Sequence, residues 1–190
     1  MQAEEVIEKF RKTGALLEGH FVLTSGLHSP VYLQCALVLQ HPRDAEEFGR
    51  SIAKHFQTEN IQTVAAPAIG GLIIGHEVAR TLGARFIWTE RQVGTMILRR
   101  GFSISPGERI LVVEDVVTTG GSTRETVAAL QASGAKVVAA ASIIDRSSGK
   151  ADVGVPRIAL ATLDVPAVDR SVCEACKRGD LVVKPGSRKQ

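Results

Sequence analysis

Apolar residues near the N-terminus recur at the spacing of one helix face. In residues 3–13, Val6 and Phe10 fall on one stripe, and Gly14 follows as a helix stop signal. Residues 42–56 repeat this pattern, with four apolar residues spaced for one buried face. Two amphipathic helices are therefore predicted in the first third of the chain.

Short apolar runs between and after these helices predict strands. A turn-rich stretch, residues 18–30, leads into an apolar run at residues 31–39 that predicts a strand. Further strands are predicted at residues 63–67, 85–88, 110–113, 136–144 and 158–163, with helices at residues 72–82 and 123–132. Parallel strands need crossover helices, and this order supplies them. We therefore predict an α/β fold, a doubly wound and mostly parallel sheet flanked by helices.

Composition supports this fold and excludes several classes of protein. The 190 residues are 44% hydrophobic and only 4% aromatic, which suits one domain, residues 1–190, with a core of small branched side chains. A net charge of +3 without a long run of like charge does not indicate nucleic-acid binding. No apolar stretch approaches the roughly 20 residues that span a bilayer, and the charged N-terminus does not have the pattern of a signal segment. With an odd number of cysteines, three, we expect a soluble cytoplasmic protein that binds neither nucleic acid nor membrane.

The order of elements also predicts where a ligand binds. In a sheet of this kind the ligand lies beyond the carboxyl ends of the strands. Four segments follow predicted strands and meet at that edge, namely residues 66–71, 89–91, 114–122 and 145–146. We expect the functional site where these segments converge.

The third of these segments carries the strongest chemical signal. A buried strand delivers Glu114 and Asp115, and a loop of hydroxyls and glycines follows at the start of a helix: Thr118, Thr119, Gly120, Gly121 and Ser122. Glycines let the backbone approach a ligand closely, free N–H groups at a helix N-terminus attract phosphate, and the hydroxyls add donors. The carboxylates would repel phosphate, but they suit ribose hydroxyls or a magnesium shell. The pattern therefore predicts a site for a phosphorylated ribose.

The alternative explanation of this loop is a simple helix cap. Ser122 and Glu125 have the spacing of a capping box. A cap accounts for those two residues but not for the carboxylate pair or for Gly120 and Gly121. The loop is not a P-loop, since no Lys follows the glycines, and it is not a dinucleotide-binding turn, in which the glycines precede the acidic residue.

Residues 110–123 resemble the phosphoribosyl pyrophosphate signature of the type I phosphoribosyltransferases. The resemblance implies that Glu114 and Asp115 hold the 2- and 3-hydroxyls of the ribose. It also implies that the loop wraps the 5-phosphate, with Val116 and Val117 among the contact residues. Glu114 and Asp115 are accordingly the first candidates for catalysis.

The turn at residues 66–71 matches a second element of the same family. The resemblance implies that this turn holds the pyrophosphate, with Ile69 and Gly70 as contacts, often through a non-proline cis peptide. The alternative is an ordinary connection between a strand and a helix.

Residues 90–105 are a polar connection of a length typical of a hairpin or a lid. In the resembling family a mobile loop here closes over the site, partly from the neighbouring subunit, and it usually carries Lys and His. This connection has neither, so Arg91, Arg99 and Arg100 are candidates for the charge, with Arg91 the third catalytic candidate. Arg cannot act as a general acid, and the alternative for Arg99 and Arg100 is a solvated β-hairpin.

Nearly the whole chain is similar to the orotate phosphoribosyltransferases, and residues 16–30 match their N-terminal hood. We place the hood mainly in residues 1–40 plus the C-terminal segment, with the core at about residues 41–165. The resemblance implies transfer of the 5-phosphoribosyl group from phosphoribosyl pyrophosphate to orotate in de novo pyrimidine biosynthesis. It also implies Mg²⁺ as cofactor, without direct protein ligation, and a homodimer. The alternatives are a phosphoribosyltransferase for another base and a non-catalytic regulator that binds phosphoribosyl pyrophosphate.

Selection of the base depends on residues outside the phosphate loop. By resemblance, Arg146 faces the orotate carboxylate, for which a planar guanidinium is apt. The alternative for Arg146 is a surface cation after a strand. Tyr32 and Leu33 fall where aromatic residues often pack near the base, and Thr24 falls where many members carry Lys or Arg.

The histidines and cysteines form no complete metal motif in the sequence. The five histidines are scattered, and we expect none to be a catalyst, with His28 the first candidate otherwise. Cys173 and Cys176 form a Cys-x-x-Cys pair, which supplies two of the four ligands of tetrahedral zinc. Zinc would require other residues or a partner subunit, and we interpret the pair as reduced thiols.

Overall fold

The computed structural model of the chain describes residues 1–23 and 26–184. Thr24, which falls where many family members carry Lys or Arg, lies outside the described residues, as do Ser25 in the hood match and the C-terminal end beyond residue 184. The helices are α1 Ala3–Lys12, α2 Ala36–Leu39, α3 Pro42–Ala53, α4 Gly71–Leu82, α5 Gly121–Ala132 and α6 Glu174–Arg178. The strands are β1 Leu16–Val22, β2 His28–Leu33, β3 Thr63–Pro67, β4 Arg85–Gln92, β5 Thr95–Leu98, β6 Arg109–Val117, β7 Lys136–Asp145 and β8 Arg157–Thr162. Two 3-10 turns, Lys54–Phe56 and Arg170–Val172, complete the elements.

Six of the strands form one central sheet in the order β5-β4-β3-β6-β7-β8. Every neighbouring pair is parallel except β4 and β5, which pair in antiparallel fashion at one edge. The predicted fold class, a mostly parallel α/β sheet flanked by helices, is confirmed. The carboxyl ends of the parallel strands all lie along the same side of the sheet. The segments that follow β3, β4, β6 and β7 therefore emerge together there.

Helices cover both faces of this sheet. Along a strand, successive side chains point to opposite faces, so a strand buried on both sides is apolar throughout. Val64 and Leu111 belong to one core cluster, which they share with α1, α3 and α4. Ala65 and Ile110, their neighbours along the same strands, belong to a second core cluster, which also contains Val127 and Leu130 of α5. The doubly wound arrangement follows from this two-sided apolar pattern.

The segment before α3 differs from the prediction. The proposed strand at residues 31–39 ends at Leu33, and the run Ala36–Leu39 is the short helix α2. A four-residue apolar run fits either element, and tertiary packing decides here, because Val38 and Leu39 are buried in the core. The stretch predicted as turns at residues 18–30 contains β1, which pairs with β2 as an antiparallel hairpin.

The β1–β2 hairpin is joined to the C-terminal segment, residues 163–184. Two isolated bridges connect them, one between Phe21 and Val183 and one between His28 and Val168. Leu16 and Leu33, at the base of the hairpin, reach into the main core cluster. The division into hood and core stays a prediction, although the hairpin and the C-terminal segment do lie together. Within the described residues, no helix has the length and apolar character needed to cross a membrane.

The packing of α3 against α4 generates a stability prediction at Gly49. An alanine there would place its Cβ 2.6 Å from the Cβ of Glu77 and 2.9 Å from the carbonyl carbon of that residue. Gly49→Ala should therefore lower stability by about 1–3 kcal/mol, because overpacking outweighs the gain in helix propensity. Thermal unfolding checks this, with Gln131→Ala on the exposed side of α5 as the control. An increase in Tm for Gly49→Ala would contradict the close packing.

Candidate active site

An acidic pair lies at the carboxyl end of the central strand β6. This strand is longer than predicted and runs to Val117, so Glu114 and Asp115 are its own residues instead of following it. The Glu114 side chain is buried and Asp115 is half-buried. The backbone N–H of Val116 donates to Oδ1 of Asp115 at 2.7 Å, and the N–H of Asp115 donates to Oε1 of Glu114 at 3.3 Å. Local backbone contacts therefore orient both carboxylates.

Ionising these two neighbouring carboxyl groups costs free energy, because burial disfavours their charged forms. Burial, followed by the neighbouring charge of Asp115, raises the pKa of Glu114 well above its usual value. Burial also raises the pKa of Asp115, although the N–H of Val116 opposes that shift. In the described part of the chain, no Lys or Arg forms a salt bridge with either carboxylate. The pair is therefore suited to ligand hydroxyls or to a cation that arrives with the ligand.

The predicted phosphate loop forms the N-terminus of α5. Gly120 is the N-cap residue, with a left-handed φ of 78°, and a Cβ there would lie 3.0 Å from Cγ1 of Val153. Both the left-handed backbone conformation and the nearby Val153 side chain require glycine at this position. Thr118, Thr119 and Ser122 are exposed, so their hydroxyls are accessible to a ligand.

The helix-cap alternative is not what the structure shows. The N-cap residue of α5 is Gly120, which has no side chain, and Ser122 is the second residue of the helix, so Ser122 does not act as the cap of a capping box. Glu125 instead forms an ion pair with Arg91, whose Nη1 lies 2.7 Å from its Oε2. At the start of α5 the N–H of Gly121 has a long contact, 3.5 Å, to Oγ1 of Thr119. A helix N-terminus held this weakly is suited to an anion.

The second turn, between β3 and α4, packs directly onto the acidic pair. A Cβ at Gly70 would lie 2.8 Å from Oδ1 of Asp115, and one at Gly71 would lie 3.3 Å from Oε1 of Glu114. Only glycine allows this approach of the backbone to the carboxylates. The Ala68–Ile69 peptide is cis, and the Ile69 side chain is 83% exposed. The structure thus brings the two turns and the acidic pair to one edge of the sheet.

Arg146 lies after β7, next to the same edge. Its guanidinium is half-buried, and burial lowers its pKa. Among the described residues, its buried Nε has no hydrogen-bond partner. Since buried polar atoms are nearly always paired, an unpaired guanidinium nitrogen is suited to an anionic ligand. The surface-cation alternative for Arg146 does not fit this burial.

Cys35 is a neighbour of the site that the sequence did not indicate. Its thiol is buried beside Asp115, and its pKa is raised well above the usual value by burial and then by the Asp115 charge. Arg146 also interacts electrostatically with Cys35, so Cys35, Asp115 and Arg146 lie close together. A lone cysteine before an apolar run carries no sequence signal, so only the fold could reveal this position.

Asp145, which precedes Arg146, has a structural role. Burial opposes its ionisation, but hydrogen bonds from Ser147 and Gly149, with Arg157, hold its pKa below the usual value. Arg157 forms an ion pair with it at 3.0 Å. This network fixes the loop that follows β7, and thereby the backbone of Arg146.

The arginine-rich connection is a β-hairpin formed by β4 and β5. Arg100 donates to Oε1 of Glu90 at 2.6 Å, and Arg99 lies 3.4 Å from its Oε2. The Arg100 contact lowers the pKa of Glu90. Arg99 and Arg100 follow β5 and pair with Glu90, and their part in binding stays a prediction, whereas Arg91 lies against the first turn of α5 through Glu125.

The predicted base contacts, Tyr32 and Leu33, lie on β2 of the hood hairpin. The Tyr32 ring packs on Phe21 with centroids 5.9 Å apart. Leu33 is buried in the main core cluster. The structure gives Leu33 a packing part, and a substrate contact at either residue stays a prediction.

The fold and this site together define a phosphoribosyl transferase domain, and the sequence matches that domain family over residues 36–159. The orotate phosphoribosyltransferase of Pelotomaculum thermopropionicum is 53% identical over 189 residues, with 100% of each chain covered. The chain therefore belongs to the phosphoribosyl transferase family and, within it, to the orotate phosphoribosyltransferases.

Solved structures share the fold. The orotate phosphoribosyltransferase of Aeropyrum pernix has a TM-score of 0.68 at 27% identity, with 83% of this chain and 93% of that chain covered. The adenine phosphoribosyltransferase of Thermoanaerobacter pseudethanolicus has a TM-score of 0.60 at 18% identity, with 70% and 88% covered. Because proteins named for different bases share this fold, the fold alone does not select the base.

The raised pKa of Glu114 generates a prediction about stability and pH. A carboxyl group whose pKa is raised by folding stabilises the fold fully below its unfolded-state pKa of about 4.3 and loses that contribution as the pH rises through the raised value. Glu114→Gln removes the ionised form and keeps the oxygen that accepts from Asp115. We therefore expect a higher Tm at about pH 8, by roughly 2–4 °C per kcal/mol relieved, and a much smaller difference at about pH 4.5.

Differential scanning calorimetry at the two pH values measures this difference. Glu18→Gln, at an exposed carboxylate, is the matched control and should change Tm little at either pH. A Glu114→Gln protein that is less stable than the original chain at about pH 8 would show that the carboxylate has a stabilising partner.

Proposed function

We propose that this chain transfers the 5-phosphoribosyl group of phosphoribosyl pyrophosphate to orotate, forming orotidine 5′-monophosphate and pyrophosphate. The observation that carries the proposal is the acidic pair Glu114 and Asp115, which forms no salt bridge among the described residues and is followed along the chain by the glycine N-cap of α5. Phosphate and sugar hydroxyls need these two environments side by side.

The sugar phosphate is held by the loop and the pair. The N–H groups at the start of α5, with the hydroxyls of Thr118, Thr119 and Ser122, receive the 5-phosphate. Glu114 and Asp115 accept hydrogen bonds from the ribose 2- and 3-hydroxyls. Such bonds favour the ionised carboxylates, so ligand binding offsets the cost of their burial.

The pyrophosphate lies over the second turn, at Ile69 and Gly70, with Arg91 near its far side. Mg²⁺ usually takes one or two carboxylates together with substrate phosphates. Glu114 and Asp115 offer carboxylate oxygens beside this turn, so the residues present fit an ion carried mainly by pyrophosphate. The chemistry that such an ion supplies is neutralisation of charge on the leaving pyrophosphate.

Arg146 selects the base by its charge and its unpaired nitrogen. Orotate differs from uracil by a carboxylate, and a planar guanidinium binds a carboxylate through parallel hydrogen bonds. The buried Nε of Arg146, which has no partner among the described residues, gains one when orotate binds. The neutral purine bases offer no such anion.

The reaction breaks the bond between the anomeric carbon and pyrophosphate and forms a bond from that carbon to a ring nitrogen of orotate. Positive charge develops on the ribose, and the neighbouring carboxylates are placed to stabilise it. Most of the acceleration then comes from holding the reactants and from fixed charges. No described residue needs to act as a general acid, which suits a connecting hairpin with Arg and no Lys or His.

The same family membership supports three further proposals. Arg91 lies on an edge hairpin, β4–β5, which a second copy of the chain can reach, and we place the enzyme in a homodimer. Its product feeds the synthesis of uridine monophosphate. A small-molecule reaction of this kind suits the cytoplasm.

Asp115→Asn tests the acidic pair. Loss of one charged hydrogen bond, at about 1.5–3 kcal/mol, should lower kcat/KM by about 10- to 100-fold. The measurement is orotidine monophosphate formation from orotate, phosphoribosyl pyrophosphate and Mg²⁺. Glu4→Gln, at an exposed carboxylate of α1, is the control and should leave the rate unchanged. Wild-type kinetics for a folded Asp115→Asn protein would refute the assignment.

Arg146→Gln tests the base. We expect a KM for orotate about 10-fold or more above that of the original chain, because a charge-assisted pair is lost, with a small change in KM for phosphoribosyl pyrophosphate. Arg43→Gln on the exposed face of α3 is the control. Equal rates with adenine, hypoxanthine or uracil would assign the chain to another base. Binding of phosphoribosyl pyrophosphate without turnover on any base would instead indicate a regulator.

A further inference from the structure

We propose that His20, His28, Cys173 and Cys176 form a tetrahedral zinc site that fastens the hood hairpin to the C-terminal segment. Their candidate ligand atoms all lie within 4.8 Å of one another. Within the described residues, no other set of three or more His, Cys, Asp or Glu side chains is gathered in this way. The Cys-x-x-Cys pair, which lacked partners in the sequence, thus gains two histidines in the fold.

The distances agree with one shared ion. Zinc bonds of about 2.3 Å to sulphur and about 2.0–2.1 Å to nitrogen place tetrahedral S and N ligands about 3.5 Å apart. Nε2 of His20 lies 3.5 Å from Sγ of Cys173 and 3.6 Å from Sγ of Cys176. Nδ1 of His28 lies 3.3 Å from Sγ of Cys176. Three of the ligand separations therefore already have the length that a tetrahedral site requires.

The two imidazoles need only a small adjustment. Nε2 of His20 lies 2.7 Å from Nδ1 of His28. Two nitrogen ligands of zinc lie about 3.3 Å apart, so the rings must separate by a few tenths of an ångström. The two rings are tilted by 48° and come from the two paired strands of the hairpin, so one ion between them would join both strands.

A backbone carbonyl already orients the first histidine. Nδ1 of His20 lies 3.1 Å from the carbonyl oxygen of Asp180, to which it donates in the tautomer that leaves Nε2 free of a proton. Metal-bound histidines characteristically use their second nitrogen in this way. The contact also reaches into the C-terminal segment, so ligand and supporting group come from the two parts that the ion would join.

The chemistry of the donor set indicates the metal and its purpose. Two thiolates and two imidazoles are a common ligand set for structural zinc, and four protein ligands leave no position for a substrate. His20, His28 and Cys173 are buried, which excludes water from most of the coordination sphere. A cavity of about 590 Å³ borders the cluster and gives an ion a path from solvent.

The C-terminal segment needs such a fastening because it buries little apolar surface. Cys173 is the one buried residue between positions 162 and 184. Leu181 is 91% exposed, and the bridges at Phe21 and His28 are isolated. A segment without its own hydrophobic core needs another source of stability, such as a disulfide or a bound metal ion. The free energy of metal binding contributes directly to the free energy of folding.

Metal analysis tests the site directly. The chain is produced without an affinity tag in zinc-containing medium, dialysed, and analysed by inductively coupled plasma mass spectrometry. We expect about one zinc per chain, falling at least about 10-fold in Cys176→Ser and in His28→Gln. Cys35→Ala and His55→Gln, which remove a thiol and an exposed imidazole outside the cluster, should keep their zinc.

Spectroscopy and proteolysis cover the case in which a variant fails to fold. The original chain is stripped with a chelator and titrated with Co²⁺, which should give the visible absorption of tetrahedral, thiolate-bound cobalt at one equivalent. Stripping should also speed proteolytic release of the C-terminal segment by about 10-fold or more, and added zinc should reverse it.

Three results would overturn the site. One is a tag-free chain without zinc that binds no Co²⁺ while its thiols titrate as free. Another is a disulfide between Cys173 and Cys176 in the freshly purified chain. The last is a zinc content that Cys176→Ser and His28→Gln leave unchanged. None of these readouts uses the transferase reaction, so the zinc site and the proposed function can fail independently.

Discussion

Two neighbouring carboxylates at the end of the central strand of the sheet, which form no salt bridge within the described residues, are the constraint around which the rest of the structure is arranged. Burial raises the pKa of both Glu114 and Asp115, so ionising the two carboxyl groups at this position costs free energy. The surrounding backbone is adapted to it. Gly70 and Gly71 approach the carboxylates more closely than any side chain would allow, and Gly120 opens the N-terminus of α5 next to them.

The parallel sheet explains why these groups meet. Each of β3, β4, β6 and β7 delivers its following segment to the carboxyl end of the sheet, so the topology brings the glycine turn, the hairpin, the loop before α5 and Arg146 together there. Helices on both faces bury the strands and keep the edge fixed. The edge hairpin and the hood are less deeply embedded, and the C-terminal segment is held at its ends by isolated bridges and by the histidine and cysteine cluster. The central sheet thus carries the acidic pair and the glycine turns.

Sequence reasoning succeeded where local pattern and global fold agree. The strand Thr63–Pro67 was predicted to the residue, and α4, α5, β6 and β7 were predicted with ends displaced by one to four residues. It was wrong at residues 34–39, because a short apolar run fits a strand or a helix until its packing partners are known. The roles of Cys35, beside Asp115, and of Glu125, paired with Arg91, depend on contacts across the fold that leave no local signal.

By itself the sequence determined the fold class, the acidic pair and the glycine-rich loop. The hydrophobic periodicity, the turn residues and the ligand-binding groups that indicate them each lie within a short stretch of chain. The tertiary structure alone decided which distant residues share a site. It left Arg146 with a buried, unpaired nitrogen among the described residues, and it gathered His20 and His28 with cysteines about 150 positions later. Such encounters follow from how the strands and the C-terminal segment pack, and packing is a property of the whole chain.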